Sequence, residues 1–347
     1  MAAETPQQRP TGARDRSLDV AKGLAIAAIV VSHVLRGLAS PDTVPRISEP
    51  FLEVDDALYS WHIVVFAIVA GAFLPSGVEK RGSWTYVRSR VALFTWLYVL
   101  WTVIQAGLKQ LESVAGGEAF DTRGFLEAFV TAYGQLWWLA FMVLATVLAA
   151  VVRPWRHPIL AGVSFLVVGG FAFLVWGWTG PWVFQEGLAL LAFFWAGVLA
   201  GRPGLVRVTT SGATPWIATL GLGLGVVLLV MDDPMPPTSY LGTRTTLGVV
   251  LGVVASTALS VGVLALSGLL ARTPLVRPIG LLGQRSLEIF LAHILALTWS
   301  RQLLMSLGLD GVAIHLVVGT AVGLLLPLGV WRLGRRVGFP WLFQHPH

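Results

Sequence analysis

The 347-residue sequence contains no cysteine, and only 12% of its residues are charged. The missing cysteines exclude thiol nucleophiles, thiolate metal sites and disulfides. The shortage of charge excludes an ordinary soluble domain, in which about a quarter of residues are charged. With 55% hydrophobic residues and a mean hydropathy of +0.75, the chain reads as an all-α, polytopic integral membrane protein. No connection between apolar runs exceeds residues 109–132, too short for an independent domain. Residues 1–347 therefore form one membrane domain, with 1–17 and 336–347 as cytoplasmic tails, and any site is built from helices and short loops. No internal repeat is evident. The net charge of +6 reports topology before it reports a nucleic-acid partner, and none is expected.

Windows of about 20 apolar residues, enough to cross about 30 Å of hydrocarbon, fall at 18–38, 57–78, 91–108, 133–152, 159–178, 182–201, 215–231, 245–270, 281–300 and 312–331. These predict ten transmembrane helices, with Pro181 and Gly187 marking a tight turn between the fifth and sixth. The first run is interrupted by Lys22 and His33, which argues for a retained helix and against a signal peptide. The basic residues agree with ten crossings. All 24 of them except Arg36, Arg46, Lys109, Arg123, Arg244 and Arg301 fall on segments that the count puts inside, from Arg9, Arg14 and Arg16 at one end to Arg332, Arg335 and Arg336 at the other. Outer segments are acidic, with Asp42, Glu49, Glu53, Asp55 and Asp56 before the second span. The positive-inside rule then puts both termini in the cytoplasm of a cell-membrane protein, the cytoplasmic membrane of a bacterium being the expected one.

Charge inside a span is expensive and marks a functional site by default. The first helix carries Asp19, Lys22 and His33. Lys22 and His33 are eleven residues apart, which returns to nearly the same helix face about 17 Å further along. A snorkelling lysine and a hydrogen-bonded structural histidine would produce the same pattern. Counting from span ends puts His33, His62, His293 and His315 in the outer half of the membrane, with Trp137 and Trp138 at similar depth, where an aromatic belt also explains them. At the inner ends stand Asp19, Lys22, Arg88, Arg90 and Arg285, a basic mouth that topology explains and that also suits a phosphate-rich cytoplasmic molecule. Gly221 with Gly225, Gly248 with Gly252, and Gly319 with Gly323 have the spacing of close helix packing; the G-x-G-x-G run at 221–225 follows no strand and is not a nucleotide loop.

These residues carry a resemblance. Asp19, Lys22, Gly23 and His33 fit a pattern of Asp, two residues, Lys-Gly, then a histidine ten residues after the lysine. Trp61-His62 through Phe66 to Ala70-Gly71 is similar to a His-Met-Pro-x-Phe-Phe and Ser-Gly motif, without its proline and serine. Tyr86 to Arg90, Leu136 to Leu139, and Leu282-Gly283 through Ser286 to His293 follow in the same order. Over almost its whole length the chain resembles the integral-membrane acyltransferases of family 3, and within them the fucose 4-O-acetylase-like group. The resemblance implies transfer of an acetyl or other acyl group from cytoplasmic acyl-CoA to a hydroxyl of a carbohydrate, glycolipid, envelope polysaccharide or metabolite. It implies His33 as general base, with His62, His293 and Asp19 in the catalytic set. Lys22, Arg88, Arg90 and Arg285 would meet the CoA phosphates, and Trp137, Trp138 and Glu288 the acceptor. No metal is expected, and an oligomer is compatible with the reading. The competing reading is a transporter or permease that uses intramembrane His, Lys and Asp as a relay.

Overall fold

The computed structural model describes residues 15–39, 49–131, 133–231, 234–238 and 243–346. Arg9, Arg14, Asp42, Arg46 and nearly all of the N-terminal tail lie outside them, and the side chain of Glu49 is not described. Among the described residues there is no strand, only an isolated bridge between Thr131 and Trp182. The helices are α1 (Arg16–Ala39), α2 (Glu49–Tyr59), α3 (His62–Arg81), α4 (Ser83–Ala115), α5 (Thr122–Glu127), α6 (Trp137–Val152), α7 (Pro158–Leu174), α8 (Leu190–Thr210), α9 (Thr214–Met231), α10 (Thr246–Leu270), α11 (Val276–Gln284), α12 (Ser286–Ser306) and α13 (Val312–Arg336). The protein is an all-α multi-pass membrane protein. Among the described residues nine helical stretches are long and apolar enough to cross a bilayer, and the tenth expected span is the shorter, 17-residue α7.

The differences from the expected spans have local causes. The window at 57–78 straddles a break at Ser60 and Trp61, where α2 ends and α3 begins. The window at 182–201 opens in turns, with Gly187 at φ 74°. Regular helix starts only at Leu190, and it kinks at Gly201, whose φ of 58° and ψ of 175° precede Pro203. Backbone that leaves the helix at membrane depth must be buried in protein. Here the Val183 N–H donates to Val130 O at 3.0 Å, and Val183 and Glu186 are buried. The residues after α13 fold back on α4. Trp96 and Trp101 donate their indole N–H groups to Trp341 O (3.0 Å) and Leu342 O (2.7 Å), and Phe343 is buried.

α1 is the centre of the bundle, packed against α2, α3, α10, α11, α12 and α13. Its start is held by Asp15, whose carboxylate accepts from Ser17 N (3.0 Å) and Ser17 Oγ (2.6 Å), meeting a donor that a helix start leaves unpaired. Its neighbours come close because the crossings are made of glycine. A Cβ on Gly23 would overlap the Ile279 carbonyl of α11, and one on Gly283 the Asp19 carbonyl of α1. Gly71 of α3 and Gly197 of α8 stand in the same relation to Phe194 O and Ile68 O. Gly319 and Gly323 seat α13 on Val34 and Val30 of α1. Gly221 meets Ala258 and Gly262, the close helix packing that its spacing predicted. The outer face of α9 is bare leucine, valine and methionine, including Leu220, Val230 and Met231, as a lipid-facing helix should be.

Candidate active site

His33 sits on α1 with Nδ1 2.8 Å from Ile29 O, one turn back. A carbonyl only accepts, so Nδ1 carries the hydrogen and Nε2 is left with its lone pair. His293 on α12 is held the same way, with Nδ1 3.0 Å from Ile289 O and 2.8 Å from Phe290 O. Its Nε2 is buried with no protein partner. The two rings meet edge to face, centroids 5.0 Å apart. His62, the first residue of α3, is 1% exposed and neither ring nitrogen has a protein partner; its ring lies 4.7 Å from that of Tyr59. An unsatisfied buried polar group costs about 1–3 kcal/mol, so these three nitrogens call for partners that the protein itself does not supply. A cavity of about 240 Å³ runs beside them, lined by His33, Arg36, Tyr59, His62, Gln135 and Trp137 among others.

Arg36, Asp55 and Tyr59 were not among the residues singled out by sequence. The Arg36 Nε donates to Asp55 Oδ2 at 2.6 Å, the Ser32 hydroxyl donates to the other carboxylate oxygen, and the guanidinium lies 3.7 Å over the Tyr59 ring. A partly buried cation is thus fixed one turn from His33, with its charge balanced by Asp55. Arg36 did leave a trace in the sequence: it is one of the few basic residues on an outer segment, where topology gives no reason for one. Gln135 is buried and spends its amide N–H on Phe290 O and Leu291 O, both 3.3 Å away.

The remaining expected residues divide between this cavity and elsewhere. Trp137 lines it, whereas Trp138 stacks on Phe141 at 5.0 Å and belongs to the core. Asp19 is buried and pairs with Lys22 at 3.0 Å, fourteen residues or about 21 Å of helix from His33. Arg285 and Glu288 pair with each other at 3.0 Å, and the Arg285 guanidinium covers Trp331 at 3.6 Å. Arg88 is exposed, and Arg90 lies 5.4 Å from the Tyr86 ring. A second, inner cavity of about 410 Å³ is lined by Arg16, Asp19, Arg277 and Gln284. The cations that share this cavity are therefore Arg16 and Arg277, and neither Arg88, Arg90 nor Arg285 lines it. Among the described residues no group of three or more His, Asp or Glu side chains is arranged to hold a metal ion.

Residues 15–332 match the family described as an acyltransferase domain, and the chain belongs to that family. The match is to the family as a whole and does not distinguish the fucose 4-O-acetylase-like group within it. Among curated proteins the chain is similar to nodulation protein NolL of Mesorhizobium japonicum (strain LMG 29417 / CECT 9101 / MAFF 303099), with 26% identity over 140 residues. That segment covers 38% of this chain and 35% of the relative, so about a third of each is compared. No solved structure gives a significant match.

Proposed function

We propose that the protein moves an acyl group, acetyl in the first instance, from cytoplasmic acyl-CoA to a hydroxyl of a sugar, glycolipid, envelope polysaccharide or small metabolite, in the cell membrane and with both termini inside. The observation that carries this reading is the His33 imidazole, pinned through Nδ1 so that Nε2 is presented as a base beside a cavity. In the reaction, Nε2 takes the acceptor O–H proton as the oxygen attacks the thioester carbonyl carbon. The resulting oxyanion is a negative charge inside a low-dielectric site, where a fixed cation is worth most; Arg36 is the nearest one held in place. When the intermediate collapses, the C–S bond breaks and the proton on His33 Nε2 passes to the departing thiolate. Neutral acceptor and thioester become ester and thiol, and His33 returns to its starting state. His293, whose ring meets that of His33 edge to face, orients the acceptor oxygen, and His62 lines the first cavity beside the thioester.

The donor's phosphates belong at the inner end, where Arg16 and Arg277 line the cavity and Lys22 stands close by on α1. The pantetheine arm then spans the roughly 17–21 Å of α1 between that mouth and His33. The test is direct. Protein purified in lipid nanodiscs and given radiolabelled acetyl-CoA should release CoA and label a hydroxyl acceptor from a panel of glycosides. A preparation that binds acetyl-CoA no better than a nanodisc without protein, and moves no label, would remove the reading.

A further inference from the structure

His33 faces a second cavity as well. About 230 Å³ in volume, it lies between α1, α12 and α13 and is lined by His33, Arg36, Thr298, Ser300, Arg301 and His315 among others. Two of these groups, the buried His315 and the half-buried Arg301, have few partners among the described residues. His315 is 2% exposed, and its Nε2 has no protein partner. Among the described residues Arg301 makes one hydrogen bond, from Nη1 to Gly37 O at 2.5 Å, and no carboxylate pairs with it. Contrast Arg36 on the same wall, neutralised by Asp55. A cation in the outer part of a membrane bundle without a counter-ion is costly. Nor does topology call for it, since Arg301 falls on an outer segment. The volume is below the roughly 300–1,000 Å³ of typical small-molecule sites, so it takes one ring or one terminal group rather than a polymer.

We propose that this cavity is the acceptor subsite, and that the acceptor carries an anion, a carboxylate or a phosphate, close to the hydroxyl that is acylated. The inference rests on the acyl-transfer reading and deepens it. Arg301 pairs with the anion, His315 hydrogen-bonds a ring hydroxyl, and the reacting hydroxyl is delivered to His33 from the side opposite Tyr59 and His62. The thioester then occupies the first cavity, and His33 stands between donor and acceptor.

The experiment compares methyl β-glucuronide, methyl β-glucoside and an isoprenyl-phosphate-linked glucose as acceptors, with acetyl-CoA as donor. Wild type should prefer at least one anionic acceptor to the neutral one by about 10-fold or more in kcat/KM. Arg301→Gln should bring that ratio close to one, because a hydrogen bond to a charged group is worth about 10- to 100-fold, and Arg301→Lys should restore most of it. A glucuronide preference identifies a sugar carboxylate as the anion, and preference for the lipid-linked sugar alone identifies its phosphate. Binding is read separately from the shift in unfolding temperature that each compound causes. A wild-type ratio near one, or a ratio that Arg301→Gln leaves unchanged in folded protein, overturns the proposal while leaving acyl transfer intact. Arg301-dependent stabilisation by an anionic compound without any acyl movement would instead keep the anion site and remove the transfer reading.

Discussion

Replacing His33 by alanine separates a base from a structural histidine. The ring's one hydrogen bond runs to Ile29 O, which in a regular helix also accepts the main-chain N–H of residue 33, so His33→Ala leaves no buried acceptor unpaired. What the fold loses is the edge contact with His293, about 0.5–1.5 kcal/mol for a ring pair. Alanine is the better helix former, which returns a few tenths of that. Stability should therefore fall by about 1 kcal/mol, and the variant should insert and purify. Loss of a general base removes about 10² to 10⁴ in rate, or about 3–5 kcal/mol of barrier. The assay is single-turnover acetyl transfer in nanodiscs, normalised to folded protein, with unfolding temperature measured on the same preparation. His33→Gln should lose as much, since an amide is no base. By sequence alone His315 would serve as the internal control, being at similar depth outside the matched motifs, but it lines a cavity with His33. His157, exposed in the turn before α7, replaces it. Transfer by His33→Ala within a few-fold of wild type would refute the base assignment. A rate that falls only in proportion to folded protein would make His33 a packing residue.

At the inner end, Lys22→Arg keeps the cation beside Asp19 and should be mild, whereas Lys22→Ala should raise the apparent KM for acyl-CoA with little change in kcat. The double change Arg16→Ala, Arg277→Ala should raise that KM further, while Arg88→Ala with Arg90→Ala should not; acyl-CoA dependence unchanged by both Lys22→Ala and the Arg16, Arg277 pair would put phosphate binding elsewhere. Gly23→Ala and Gly283→Ala put a methyl group onto a facing main-chain carbonyl, an overpacking of about 1–3 kcal/mol or more because backbone must shift. Both should lower the yield of monodisperse protein, and a wild-type yield from both would mean that α1 and α11 do not cross this closely. Topology is read with reporters fused after Gly116 and after Gly212, both exposed turns; the first should report outside and the second inside. Leu205, by contrast, is buried within α8, so a fusion there would test folding as much as side.

What sequence reading captured follows from what hydrophobicity can see. Apolar length located the nine stretches long and apolar enough to cross among the described residues, because length against bilayer thickness is a one-dimensional property. It could not see the break at Ser60 and Trp61 or the turns at 181–189. These segments are as apolar as the helices around them and leave the helix only because neighbouring chain satisfies their backbone, as Val130 O does for Val183. The glycines of the matched motifs were legible as positions but not as causes. Gly23, Gly71 and Gly283 turn out to be crossing points where a side chain would strike a carbonyl of another helix, a fact about pairs of helices that no single stretch contains.

Depth placed four histidines in the outer half, but which of them met was a lateral question, and His33, His62 and His293 come together only because α3 and α12 both pack on α1. The inner cations illustrate the opposite failure. Arg285 was counted with the basic mouth, yet it stands three residues from Glu288 on one helix turn and the two neutralise each other. A more selective signal was present in the charge pattern used for topology. The basic residues that violate the positive-inside rule cannot be there for orientation, so each needs another reason. Of those on the described helices near His33, Arg36 is answered by Asp55 and Tyr59. Arg301 is answered by no carboxylate among the described residues, and it lines the other cavity that His33 faces. In a membrane enzyme the exceptions to the topology rule are therefore the residues to examine first, because the bilayer has already charged for them and only a partner or a substrate can repay the cost.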